Sequence, residues 1–169
     1  ARDEVANVIN EIAKTEHVIV FSNKEDINEI ENKTDHKNID IVECKLDDSW
    51  MRDIAQIFYK EDEKLKSINF EFNGYGKYPD YLNDNKISKF ISNYLNIPTK
   101  ISDLVIEGGA ITYDDKKNLF STKNVIFNKN RKQKHNSEYI VKELKLLFDL
   151  NYIFLFENGL MEDDTDGHV

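Results

Sequence analysis

Apolar positions recur along this chain at two periods. Val5, Val8, Ile9 and Ile12 are spaced for one face of a helix, predicting an amphipathic helix over about residues 3–13. His17-Val18-Ile19-Val20-Phe21 reads as a short apolar strand closed by Ser22-Asn23. A second helix is expected over 25–32 and a strand over 39–42. Ile54–Tyr59 and Lys66–Phe72 are both β-rich, and the polar Lys60–Lys64 between them suits a hairpin connection. Asn73-Gly74-Tyr75-Gly76 marks a loop. Ile87, Phe90, Ile91, Tyr94 and Leu95 share one face of a helix over about 82–95. A strand follows over 99–106, then a hairpin pairing 110–113 with 119–121 across 114–118. Ser137 is expected to cap a helix reaching about Phe148, and Tyr152–Phe156 forms a final strand. The order of strand, hairpin, helix and strand returns with variation, and no linker or low-complexity tract interrupts it. The pattern predicts an α/β or α+β fold made of small units of similar order.

Composition narrows the function. The 169 residues carry 40% hydrophobic side chains, enough to bury a core. A formal net charge of -9 argues against a nucleic-acid partner, which needs clustered Lys and Arg, and is compatible with a cationic ligand. No apolar run approaches a membrane span, and no secretory leader is expected. The single cysteine, Cys44, excludes an internal disulfide framework and fits a reducing cytoplasm. It falls on an expected strand and reads as a small buried hydrophobe.

Three segments could carry chemistry. Asp47-Asp48-Ser49-Trp50-Met51-Arg52-Asp53 reads as a loop between strands. Asp53 could grip a planar cation by paired hydrogen bonds while Trp50 forms a flat wall with cation–π attraction. The alternative is that Arg52 pairs with a neighbouring acid and Trp50 is core. Ile106-Glu107-Gly108-Gly109 ends an apolar strand. Glu107 could orient a histidine, or the segment could be an ordinary strand-to-turn junction. Glu162–His168 holds four acids and a histidine. It could be a solvated loop or a hard-cation site, but it lacks the alternate-oxygen pattern and closing Glu of a Ca²⁺ loop. His17, His36 and His135 have no second ligand at metal spacing and are expected at the surface or in structural roles. No metal or other cofactor is expected.

Taken together, Asp47–Asp53, Phe72–Gly76, Glu107–Gly109, Phe127–Arg131 and Asp163–Val169 stand in the order of a known motif set. The chain resembles the agmatine deiminase and bacterial peptidylarginine deiminase family, within the guanidino-group modifying superfamily, from about Val18 onward. The resemblance implies a five-bladed propeller of ββαβ units around a central site. About three blades would be present, so residues 1–169 would form a single partial domain truncated at both ends. It implies hydrolytic deimination of agmatine to N-carbamoylputrescine and ammonia through a cysteine nucleophile. Asp53 would hold the guanidinium, His168 would act as acid and base, Glu107 would pair with His168, and Trp50 would wall the pocket. Asp164 would be the candidate acid for the far amine of a free substrate. The second guanidinium Asp and the nucleophilic Cys have no counterpart here, Cys44 lies on the wrong side of the motifs, and Tyr75 replaces a usual Trp. The chain alone is therefore expected to be inactive. Peptidyl-arginine as substrate, or a non-catalytic guanidine-binding or regulatory fragment, remain alternatives. A homo-oligomer or a complementary chain carrying the C-terminal blades is the expected partner.

Overall fold

Residues 2–34 and 37–168 are described by the computed structural model, and the chain divides into two units at the 46/47 junction. His36, expected at the surface, and Val169, the end of the last motif, lie outside the described residues.

The first unit follows the sequence pattern closely. Helix α1 (Arg2–Ala13) precedes strand β1 (Val18–Ser22), and α2 (Ile27–Lys33) precedes β2 (Ile39–Glu43). The two strands pair in parallel, with Val20 opposite Ile41. Cys44, one residue beyond β2, is buried, and its N–H donates to the Ser22 carbonyl at 2.9 Å.

The second unit contains two segments of one design. In the first, β3 (Ile57–Glu61) and β4 (Lys64–Glu71) form an antiparallel hairpin, α4 (Asp84–Tyr94) follows, and β5 (Thr99–Val105) returns parallel to β4. In the second, β6 (Thr112–Tyr113) and β7 (Asn118–Thr122) pair antiparallel, α6 (Ser137–Phe148) crosses, and β8 (Tyr152–Phe156) lies parallel to β7. The first hairpin turns on Asp62 and Glu63, with φ of 50° and 59°, as a two-residue connection between right-twisted strands requires. Leu104, Ile106, Leu119, Val125, Ile140 and Leu144, all buried, join the second segment's helix to its sheet and to the end of β5.

The fold is thus mixed α/β, with repeated units as the pattern predicted. Three local details differ. Residues Met51–Ile54 form a short helix, α3, where a loop running into a strand was expected, and this turn buries Ile54 and delays the strand to Ile57. Residues Lys123–Ile126 form a further turn, α5, capped by the Thr122 hydroxyl, which accepts from the Val125 N–H at 3.2 Å. The cap of α6 is Asn136, whose Oδ1 accepts from the Tyr139 N–H at 2.9 Å, so Ser137 is the first helical residue and not the cap. Among the described residues, no helix is long and apolar enough to cross a membrane.

Candidate active site

The segments that follow the carboxyl ends of β4, β5, β7 and β8 meet above the sheets of the second unit, where α/β folds generally gather their ligand-binding loops. The stretch after β4 brings Tyr75, and that after β5 brings Glu107, Gly108 and Gly109. The stretch after β7 brings Arg131, and that after β8 brings Asp163–His168. Helix α3 adds Asp53.

Asp53 is fixed by two neutral donors. Its Oδ2 accepts from the Tyr75 hydroxyl at 2.7 Å, and its Oδ1 accepts from the Gly109 N–H at 2.9 Å. Each carboxylate oxygen retains a second lone pair for an incoming donor. A Cβ on Gly109 would lie 2.3 Å from Asp53 Oδ1 and 2.8 Å from His168 Nδ1, so only glycine lets the backbone approach this closely. Tyr75 takes up φ +58° between two glycines of positive φ. Its phenol is held well above its ordinary pKa, first by burial and then by the bond to the Asp53 carboxylate, and it stays protonated.

His168 stands between two acids. Its Nδ1 is 3.8 Å from Asp53 Oδ1, and its Nε2 is 3.6 Å from Glu107 Oε2. Both separations exceed a hydrogen bond. The Nε2 atom is buried without a hydrogen-bond partner, as are both oxygens of Glu107, a fully buried side chain. The Arg131 Nε lies 2.8 Å from Glu107 Oε1, in ion-pair contact although its N–H is not aimed along the bond. That proximity offsets the cost of burying the Glu107 charge.

The segment carrying His168 is bound on several sides. The Asp163 carboxylate accepts from the Gly167 N–H at 2.9 Å, from the His168 N–H at 3.2 Å, and from the Thr165 hydroxyl. These bonds, the hydroxyl's first, hold the Asp163 carboxyl below the usual carboxylate range. Burial works against the Asp166 charge, but Lys77 at 2.8 Å and Arg131 at 2.5 Å outweigh it and hold that carboxyl low as well. The Thr122 hydroxyl donates to the Gly167 carbonyl at 2.8 Å. Behind the segment, the Gln133 amide makes a pair of bonds to the Val105 backbone at 2.8 and 3.1 Å, and Asn73 donates to the Arg131 carbonyl at 3.0 Å.

Of the residues singled out in the sequence, Asp53, Glu107 and His168 come together. Trp50 is 59% exposed rather than core, and its indole N–H donates to Asp48 Oδ2 at 3.1 Å. Asp164 is exposed, not buried as an acid selecting a free amine would be, and its backbone carbonyl accepts from Lys77 at 2.7 Å. Asp84 went unremarked in the sequence. Although 2% exposed, it accepts from the backbone of Asp47 at 2.8 Å and of Asp48 at 3.2 Å, and so anchors the acidic segment ahead of α3. Its only sequence signal is an acid in the first turn of α4. Arg131 closes the Phe127–Arg131 motif, where nothing in the sequence signals a buried cation, and Tyr75 stands out there only as a replacement for a usual Trp.

Residues 1–169 match the family model described as Porphyromonas-type peptidyl-arginine deiminase, and the chain belongs to that family. A Mycoplasma capricolum subsp. capricolum protein, provisionally named agmatine deiminase, is 31% identical over 170 residues, covering 97% of this chain and 46% of that protein. The agmatine deiminase of Pseudomonas aeruginosa (strain LESB58) is 28% identical over 176 residues, covering 100% of this chain and 48% of its own length. Among solved structures, a cysteine-to-serine variant of the C. jejuni agmatine deiminase with substrate bound matches with a TM-score of 0.86 at 27% identity, over 97% of this chain and 49% of that one. The chain therefore spans about half the length of the curated relatives it matches.

Proposed function

We propose that this chain is the N-terminal to central part of a guanidine deiminase, and that the intact protein converts agmatine and water to N-carbamoylputrescine and ammonia. The observation carrying this reading is the seating of His168 between the carboxylates of Asp53 and Glu107, at 3.8 and 3.6 Å. A delocalised guanidinium offers paired N–H groups that suit the remaining lone pairs of Asp53. A thiolate from outside these site residues attacks the guanidinium carbon and forms a tetrahedral adduct. The C–N bond then breaks, and His168 gives its proton to the departing ammonia. The same imidazole takes a proton from water, which attacks the resulting thiouronium and releases the ureido product and the thiolate. Glu107 faces the imidazole and stabilises its charged form, while Trp50 walls the pocket. In this reading residues 1–169 are one partial domain, about three blades of a five-bladed ββαβ propeller, acting in the cytoplasm.

Agmatine is favoured by the names of the relatives at 28–31% identity. Peptidyl-arginine is the second reading, supported by the description of the family model and by the exposure of Asp164. Ammonia release by the intact protein from agmatine and from an arginyl peptide tests both. Turnover of agmatine alone supports the first reading. Turnover of the peptide alone replaces it with the second, and turnover of neither refutes the activity. The isolated 169-residue chain should release no ammonia. Turnover by that chain, lost on Cys44→Ser, would overturn the assignment of the nucleophile to another segment.

A further inference from the structure

Arg131 is 1% exposed and lies at the centre of the loops that build the site. Its Nε contacts Glu107 Oε1 at 2.8 Å. Its Nη1 donates to Asp166 Oδ2 at 2.5 Å and to the Tyr75 carbonyl at 2.9 Å, and its Nη2 donates to the Thr165 carbonyl at 2.8 Å. One rigid fork thus reaches the loop after β4, the loop after β5 and the segment carrying His168. A close approach of backbones makes this possible. A Cβ on Gly76 would lie 1.9 Å from the Asn130 carbonyl oxygen, so the two segments meet without an intervening side chain.

We propose that Arg131 is a positioning residue. Its guanidinium turns one oxygen of Glu107 away from His168 and leaves the other facing it, and through Asp166 and Thr165 it docks the segment that places the imidazole. The proposal rests on the deiminase reading above and adds a role for a cation inside a site meant for cations. A buried ion pair is often no more stabilising than well-packed apolar side chains of similar volume, so stability alone gives little reason for this group. Position gives a better one. Arg131 occupies the seat between Glu107 and Asp166, where an entering guanidinium would otherwise be drawn. The substrate is left with Asp53, which faces the other ring nitrogen of the imidazole. The charged or titratable groups around His168 are Asp53 on α3, Glu107 after β5, Tyr75 after β4, and Asp163 within its own segment, with Arg131 and Asp166 behind Glu107. Without Arg131, Glu107 and the segment carrying His168 are free to move, and the imidazole loses its fixed place between Asp53 and Glu107.

The test compares Arg131→Gln and Arg131→Lys with the unaltered intact protein. It follows the His168 imidazole signals by NMR at one pH, kcat and KM for agmatine per folded molecule, and the melting temperature. Arg131→Gln should displace and broaden the His168 imidazole signals, as a ring released from one fixed place does. It should also lower kcat about 100-fold, with KM within about threefold. Arg131→Lys keeps the charge but cannot span four partners. It should displace the His168 imidazole signals less than Arg131→Gln does and still lower kcat about tenfold. A lowered melting temperature with unchanged His168 signals and unchanged kcat in Arg131→Gln would reduce Arg131 to a structural residue. If Arg131→Gln does not fold, unaltered kcat in Arg131→Lys overturns the proposal by itself. If the unaltered protein does not act on agmatine, the activity reading fails, and the His168 imidazole signals still decide the role of Arg131.

Discussion

The Tyr75 hydroxyl donates to Asp53 Oδ2 at 2.7 Å, so a residue set in the left-handed region after β4 orients a carboxylate carried by α3. The phenol keeps its proton because burial and the neighbouring carboxylate both oppose its loss. Tyr75→Phe removes one donor and leaves the ring. The expected result is a rise of about tenfold in KM for a guanidine substrate, with a smaller change in kcat, from an Asp53 freed to rotate. In spectrophotometric titration the native protein and Tyr75→Phe should ionise the same number of tyrosines, because Tyr75 does not ionise until the fold opens. A group whose folded pKa is raised contributes stability that is complete below the unfolded value, near ~10, and that declines as the pH rises toward the folded value.

Gly109→Ala places a methyl group where Asp53 Oδ1 and His168 Nδ1 already stand. Asp53 would lose the Gly109 N–H and move off the imidazole. Guanidine binding, measured by calorimetry on the intact protein, should weaken by at least about tenfold. The melting temperature should shift less than the affinity, because the clash falls on two side chains that can turn aside and not on backbone. Unaltered affinity would mean that Asp53 does not hold the substrate.

The segment that carries His168 should release in acid before the sheets do. Asp163 and Asp166 are both held below the usual carboxylate range. The stability they contribute is complete above the unfolded value, near ~3.9, and is lost as the pH falls through their lower folded values. Native amide signals of Gly167 and His168 should therefore disappear below about pH 4 while those of β7 and β8 persist. Asp163→Asn should show this loosening already at neutral pH. Simultaneous loss of both sets of signals would show that the segment is not an independent unit.

Tyr152, Phe154 and Phe156 alternate along β8 at 64%, 46% and 55% exposure, and β8 is an edge strand of its sheet. Phe154 stacks on Phe120 at 5.2 Å between ring centres, so the stripe extends onto the neighbouring strand. An apolar edge of this kind favours pairing with another chain or segment. The isolated 169-residue chain should self-associate at micromolar concentration in ultracentrifugation, and Phe156→Lys should shift it toward monomer. A compact wild-type monomer would show that the stripe is tolerated in water.

Strands were legible where the pattern was strong and local. The run Tyr152–Phe156 is β8 to the residue, and the β4 and β5 boundaries lie within two residues of the expected ones. The sequence misled where two local signals competed. Ser137 and Asn136 both cap well, and the backbone chose the first of them in chain order. Trp50–Asp53 closes a helical turn, through the Asp53 N–H and the Trp50 carbonyl at 2.9 Å, within a stretch too short to show helical periodicity. The acids and histidine of the site were visible as residue types in order. The burial of Arg131 was not, because Lys129-Asn130-Arg131-Lys132 has the composition of a solvated turn, and only long-range packing makes its arginine an interior cation. Asp84 was hidden for the same reason, since an acid opening a helix usually faces water.

The hairpin-and-return design has a consequence for synthesis. Each of the two segments in the second unit pairs its strands with partners from the same stretch of chain, so each sheet can form soon after its last strand leaves the ribosome. The site cannot. Asp53 emerges first, then Glu107, and His168 only after both sheets are in place. During that interval two carboxylates wait without their imidazole, and Arg131, which precedes β8, is available to pair with Glu107 before the segment holding Asp166 arrives. A nascent chain would thus acquire its fold in instalments, and the meeting of its imidazole with both carboxylates in a single step, at the closing of one short acidic segment.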